Sequence, residues 1–389
     1  MSNIYIAQEH LLEWFSEENF SWIESHQQTL SGMMALLLAG FPAHPHLLAE
    51  ELPLDIKTES KIQKVRRLLD SPKLCPLQLL PTLVRVGVPL RPDKHWVLLS
   101  LDRTEYKQRG QWVQMLCVSL VLDGLSLPLN WSVDNAQGKT SFAQWKALMT
   151  PVISKLQRQK ELTEIPLILT GDREFISMPF AKWLKQEMTI DYVLRLTSSL
   201  YLHFSDGRSC QVSELEIQRG QTRQWSNVRV TDQHLWEANV CATWDCAFDE
   251  PVVLMHSLKD NDDPKASVLT GYAGRFSIEL TFSDLKSRGF DLEAIRINDS
   301  KRISTLMLVF VMTLLWYLIA GEALESDGDD VRLPPKAAPR AKRLRSWFAL
   351  GRRAWRRVLM FFSPQKLQSF LNQFICGLLT GQPIPAIKV

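Results

Sequence analysis

The segment ISTLMLVFVMTLLWYLIAG, residues 303–321, runs for 19 residues without a charge. No other stretch limits the possible folds so strongly. At about 1.5 Å of rise per residue, such a helix is long enough to cross a bilayer. Its other possible home is the centre of a large soluble domain, because a helix apolar on every side must be wrapped all round. Lys301 and Arg302 precede it, and Glu322 and Glu325 follow. An amphipathic segment leads directly into it, so the buried position is expected and a membrane anchor is the alternative. A chain of 389 residues, 46% hydrophobic and 22% charged, has enough material to supply the wrapping.

The amphipathic segment is GYAGRFSIELTFSDLKSRGF, residues 271–290. At about 100° per residue, Arg275, Glu279 and Lys286 fall at roughly −60°, −20° and −40° from Tyr272. The four residues share one stripe about 21 Å long. One reading is a solvated face with salt bridges along it. The other is a surface that meets phosphates, with a carboxylate in its middle.

Residues 1–92 read as a helical region. Within it, TESKIQKVRRLLD opens on a cap signal and carries Lys61, Lys64, Arg66 and Arg67. That helix suits a small DNA-binding module or a scaffold with a basic, solvated side. From 93 to 197 the pattern changes to β-β-β-α-β-α-β. HWVLLSLDRTEY holds a short apolar run ending at Asp102, QWVQMLCVSLVLDG ends on the hairpin signal Asp123-Gly124, and LSLPLNWSV completes a meander. IPLILTGD is a continuous apolar strand of the kind buried on both faces, ending at Asp172. The expected fold class is therefore α/β, a mixed sheet flanked by helices. Residues 198–262 read as a β-rich insertion, and 263–325 return to the core through the two helices above. Residues 326–389 form a basic region with ten Arg or Lys between Arg332 and Arg357 and with Trp347, Phe348 and Trp355 interleaved. Such a density suits phosphate binding, a membrane surface or a solvated face.

In open sheets, ligands meet side chains at the carboxyl ends of strands, where Asp102 and Asp172 are expected. Either acid alone is explained by a turn or a cap. As a pair they say more, because the first and fourth strands of this topology are neighbours. Glu279 from the following helix would add a third carboxylate. Three oxygen donors suit hard divalent cations, and two such ions can drive phosphodiester displacement. Arg275 and Lys286 would supply positive charge to phosphates, and Tyr272 a hydroxyl.

These residues resemble the DDE transposases of insertion sequences, which have an RNase H-like core. Tyr272-x2-Arg275-x3-Glu279-x6-Lys286 is similar to the Y-x2-R-x3-E-x6-K signature of the insertion-sequence-four family, which includes the Tn-five-type enzymes. LSLDRTEY, LTGDREF and LKSRGFDLE resemble that family's three catalytic neighbourhoods. The resemblance covers roughly residues 60–350. It implies cleavage at transposon ends and strand transfer into target DNA. Asp102, Asp172 and Glu279 would be catalytic and would hold two Mg²⁺ ions, with Mn²⁺ as a substitute. Tyr272, Arg275 and Lys286 would bind DNA near the transposon end, where the family flips a base. The partners implied are the terminal inverted repeats, target DNA and a second subunit in a two-ended synaptic complex, with no membrane. An RNase H-like endonuclease that does not join, and an inactive DNA-binding derivative, are the alternatives. The family also places a stacking Trp late in the insertion, where PVVLMHSL has no aromatic residue; Trp236 and Trp244 lie upstream and suit the core as well.

A net charge of +3 assigns any nucleic-acid binding to local patches. Six cysteines without paired spacing read as buried thiols in a reducing compartment. The first residues, MSNIYIAQEHLLEWF, lack the pattern of a signal peptide. A cytoplasmic protein is expected, associated with the nucleoid when bound to DNA.

Overall fold

The computed structural model describes residues 2–231, 235–245, 250–258, 264–326, 346–381 and 384. The chain opens with five helices: α1 (Ser2–Glu17), α2 (Glu24–Leu38), α3 (Pro45–Glu50), α4 (Thr58–Leu69) and α5 (Leu80–Gly87). Strands β1 (Val97–Gln108), β2 (Gln111–Val121) and β3 (Ser126–Asp134) follow as a meander. Then come α6 (Phe142–Gln157), β4 (Leu167–Gly171), α7 (Met178–Lys182) and β5 (Asp191–Arg195). Five further strands are β6 (Tyr201–His203), β7 (Ser209–Gln211), β8 (Thr222–Thr231), β9 (Leu235–Thr243) and β10 (Val252–His256). The helices α8 (Pro264–Gly274), α9 (Phe276–Ser283), α10 (Ser300–Ser326), α11 (Trp347–Phe361) and α12 (Pro364–Thr380) complete the described elements.

All ten strands form one sheet, in the order β3-β2-β1-β4-β5-β10-β9-β8-β6-β7. β1–β4 and β4–β5 are parallel, and the remaining pairs are antiparallel. The sheet is therefore mixed, with antiparallel pairing predominant. The β-rich stretch after β5 continues this sheet, because β10 pairs with β5 and passes the ladder on to β9 and β8.

β1 runs six residues past Asp102, whereas the apolar run in the sequence ends there. The extension is held by pairing with β2 as far as Gln108–Gln111. The turn between them, Arg109-Gly110, has both residues at positive φ, +46° and +83°, the geometry that matches strand twist in a two-residue hairpin. Asp123-Gly124 does form the expected β2–β3 turn, with Gly124 at φ +76° and Leu122 N–H bonded to Leu125 O at 2.8 Å. α6 starts at a reciprocal cap in which Ser141 and Gln144 satisfy each other's backbone N–H groups.

One face of the sheet, carrying Leu98, Ile168, Val193 and Leu254, packs on Val268 and Tyr272 of α8. Leu99, Leu101, Leu169 and Leu194 alternate to the other face and join the main core with Trp145 and Phe180. α10 is the buried helix its sequence suggested: 94% of its apolar window lies inside the protein. It packs beside β3, where Trp131 Nε1 donates to Ser304 O at 3.2 Å.

The aromatic residues of the basic region belong to this core. Trp347, Phe348 and Trp355 are buried, and the Trp355 ring lies 5.1 Å from Trp316 and 4.9 Å from Phe374. Their interleaving with arginines reflects the two faces of α11, with Arg353, Arg356 and Arg357 on the exposed one. The basic residues between Arg332 and Arg345 lie outside the described residues. α10 and α11 cross with backbones nearly touching, since a Cβ on Gly351 would collide with the Tyr317 carbonyl. Of the cysteines described, only Cys117 and Cys241 are buried; Cys75 and Cys376 are exposed and Cys210 is intermediate, so the expectation of uniformly buried thiols does not hold.

Candidate active site

β1 and β4 stop pairing at the rung Leu101–Gly171. Asp102 and Asp172 are the next residue on each, so they are neighbours at the carboxyl end of the parallel pair. Even spacing from Leu98 and Ile168 sends both side chains towards the face that α8 covers.

The stripe-bearing helix is not one regular helix. α8 and α9 meet at Arg275, where i→i−3 bonds from Arg275 N to Tyr272 O and from Ile278 N to Arg275 O, both 3.1 Å, tighten the turn. Residues Asp284–Arg288 then widen into a single π turn. These departures from ideal spacing still leave the stripe facing the acids. Asp102, Asp172, Arg275, Glu279 and Lys286 line one open cleft of about 470 Å³. Tyr272 is buried and reaches it through Asp172, donating its hydroxyl to Oδ1 at 3.3 Å.

Arg275 is 3% exposed and spans two acids. Nη1 lies 3.3 Å from Asp102 Oδ2, and Nη2 lies 2.8 Å from Glu279 Oε1. The Phe276 ring lies 4.5 Å from its guanidinium carbon. Burial alone would lower the Arg275 pKa, but Tyr272, Asp102, Asp172 and Glu279 outweigh it and the net direction is up. Asp102 behaves oppositely: burial pushes its carboxyl up to about 7, with Glu279 and Glu174 adding to the rise and the Arg103 N–H and Arg275 opposing it. Burial also raises the Tyr272 phenol. Lys286 Nζ donates to Glu105 O at 3.1 Å and lies 3.5 Å from Glu293 Oε1.

The acidic donors are all oxygen, the chemistry that hard divalent cations select, and a dehydrated Asp102 beside two more carboxylates favours a cation on electrostatic grounds. Among the described residues, no three acidic, His or Cys side chains close on a single point. The reason at this cleft is visible: the Arg275 guanidinium bridges Asp102 and Glu279. The donor set thus fits a divalent metal in its chemistry, with Arg275 holding the counter-charge position in this arrangement.

Residues that the sequence did not nominate complete the surroundings. Arg195, at the end of β5, has Nη1 3.7 Å from Asp172 Oδ1 and Nη2 2.7 Å from Glu250 Oε1. Arg103 lines the cleft and pairs with Glu174 and Glu105. The available signal was the charged residues immediately after each acid, in DRTE and DRE, at the ends of apolar runs. Trp236 is half-buried and donates to Tyr192 OH at 2.7 Å, while Trp244 is half-buried with Arg219 5.6 Å above its ring.

The family model for the transposase DDE domain matches residues 82–316. No curated protein sequence matches the chain. The match spans the sheet meander, both acids, the insertion, the stripe and most of α10, and the chain belongs to the transposase DDE domain family. Membership implies a nuclease of the transposition reaction, DNA as the partner and a divalent metal as the general cofactor of the family.

Proposed function

We propose that this member of the transposase DDE domain family is a DNA transposase of the insertion-sequence-four type. It has an RNase H-like core, cuts transposon ends and joins them to target DNA. The observation that carries the reading is the common end of the β1–β4 pair, where Asp102 and Asp172 follow one rung and Glu279 shares their cleft. In this reading Asp102, Asp172 and Glu279 hold Mg²⁺ as two ions, with Mn²⁺ as a substitute. Such ions would supply charge neutralisation at the scissile phosphate and acidity for the attacking water or 3′ hydroxyl. Arg275 yields one arm of its fork to a phosphate oxygen, a geometry for which guanidinium is suited. Lys286 offers a point charge to a flanking phosphate, and Tyr272 steadies Asp172 and borders the DNA near the transposon end. The enzyme works as a homodimer on paired ends in the cytoplasm, with residues 1–92 contributing to end recognition.

The test is a Mg²⁺-dependent cleavage and joining assay on DNA carrying the sequences that flank the gene. Wild type is expected to cut and join. Asp172→Asn and Glu279→Gln are expected to lose on the order of a thousandfold or more in rate with DNA binding retained. Cutting without joining would make the protein an endonuclease. Binding with no metal-dependent chemistry would make it an inactive DNA-binding derivative.

A further inference from the structure

The β1–β4 ladder ends one residue short of the two acids. Beyond it the strands part: β1 continues as a hairpin with β2, while the chain after Asp172 turns away through the 3-10 turn Arg173–Phe175. Backbone pairing therefore does not fix the separation of the carboxylates at the place where it matters.

A side-chain contact takes over there. Arg103 Nε lies 3.0 and 3.1 Å from the two carboxylate oxygens of Glu174, and Nη2 donates to Oε2 at 2.8 Å. Nη1 donates to Glu105 Oε2 at 2.7 Å. Each nitrogen of this guanidinium faces a carboxylate, and the side chain is 15% exposed. Arg103 lines the cleft with each guanidinium nitrogen bonded to a carboxylate, so its charge is matched by Glu174 and Glu105 within the protein. Its own backbone N–H donates to Asp102 Oδ1 at 2.7 Å, setting the orientation of that carboxylate. Glu105, the brace, also receives Lys286 on its carbonyl.

We infer that Arg103 and Glu174 form a clamp that holds Asp102 and Asp172 at their working separation, so that both are positioning residues for the metal-dependent reaction proposed above, on which the inference rests. Side chains that orient metal ligands without touching the metal typically change affinity or activity by about 10- to 100-fold when altered.

The experiment is Mn²⁺ titration of the full chain, followed by calorimetry and by the electron paramagnetic resonance of the ion. Thermal unfolding is measured in parallel on wild type, Arg103→Lys, Glu174→Gln and the double variant. Lysine keeps the charge but not the forked contact. Each single variant is expected to weaken Mn²⁺ binding by about 10- to 100-fold. The double variant is expected to be no worse than the weaker single, since the two residues act as one unit. Unchanged Mn²⁺ affinity in both single variants overturns the clamp, whatever happens to the melting temperature. Additive losses in the double variant overturn it as well. A wild type that binds no Mn²⁺ overturns the metal-dependent reading itself, and the clamp with it.

Discussion

The layer around α10 and the cleft between β1 and α9 solve opposite problems. Around α10, large rings from both ends of the chain meet: Trp14 lies 5.5 Å from Trp316, which lies 4.9 Å from Phe374. Polar groups there include two paired ones, Tyr317 OH to Leu37 O at 2.6 Å and Trp355 Nε1 to Trp316 O at 3.1 Å, while Trp316 Nε1 is buried with no hydrogen-bond partner among the described residues. In the cleft, by contrast, carboxylates crowd together and one of them is dehydrated enough to hold its proton to about pH 7. Apolar burial stabilises roughly in proportion to area and needs no exact counterpart, whereas clustered charge stands only where opposite charge is placed against it. The fold keeps its stability in one layer and its chemistry in another. β3 touches both: Trp131 Nε1 donates to Ser304 O of α10, and Ser126 N–H donates to Thr281 Oγ1 of α9 at 2.9 Å.

That separation can be tested most forcefully at Trp355, which is fully buried. Trp355→Ala is expected to cost about 3–5 kcal/mol of stability in denaturant unfolding. Metal affinity measured below the unfolding transition should stay at the wild-type value; a parallel loss would show that the two layers are coupled.

A smaller effect comes from the proton on Asp102. Because its folded-state pKa is raised, the folded chain binds more protons than the unfolded one between the ordinary carboxylate range and about pH 7. The contribution of this group to stability therefore falls as pH rises through that window. A divalent ion has to displace the same proton, so Mn²⁺ affinity is expected to drop about tenfold per pH unit below 7 and to level off above it. Calorimetry on either side of pH 7 checks this, and a flat profile would remove Asp102 from the ligands.

The smallest expected effect is at Lys286, already engaged by Glu105 and Glu293. Lys286→Ala should lower the slope of log affinity for DNA against log salt by about one. An unchanged slope would make Lys286 a support for the β1 extension instead of a phosphate contact.

Much of the sheet was legible from local pattern. Continuous apolar strands and the Asp123-Gly124 turn gave the meander and the parallel strands. The stripe angles placed Glu279 and Lys286 in the cleft of the two acids even though the helix tightens at Arg275 and widens at Asp284–Arg288. What escaped was whatever depends on pairing between distant segments. The β1 extension rests on its partner strand, since DRTEYKQ has no apolar run of its own. The Arg103–Glu174 contact joins residues 71 positions apart and exists only through the β1–β4 register. In α11, Trp and Arg share a helix for packing reasons, and their order along the chain does not distinguish a buried ring from one offered to a base.

The wrapping of α10 also has a consequence for synthesis. Its cover comes partly from α11 and α12, which leave the ribosome after it, and chains are made at only about 5–20 residues per second. For that interval a run of 19 uncharged residues stands with one side bare, indistinguishable by composition from a membrane span. The nascent protein must keep this helix from lipid and from other copies of itself until Trp347, Trp355 and Phe374 arrive to close over it. A chain cut short between α10 and α11 carries that bare surface permanently.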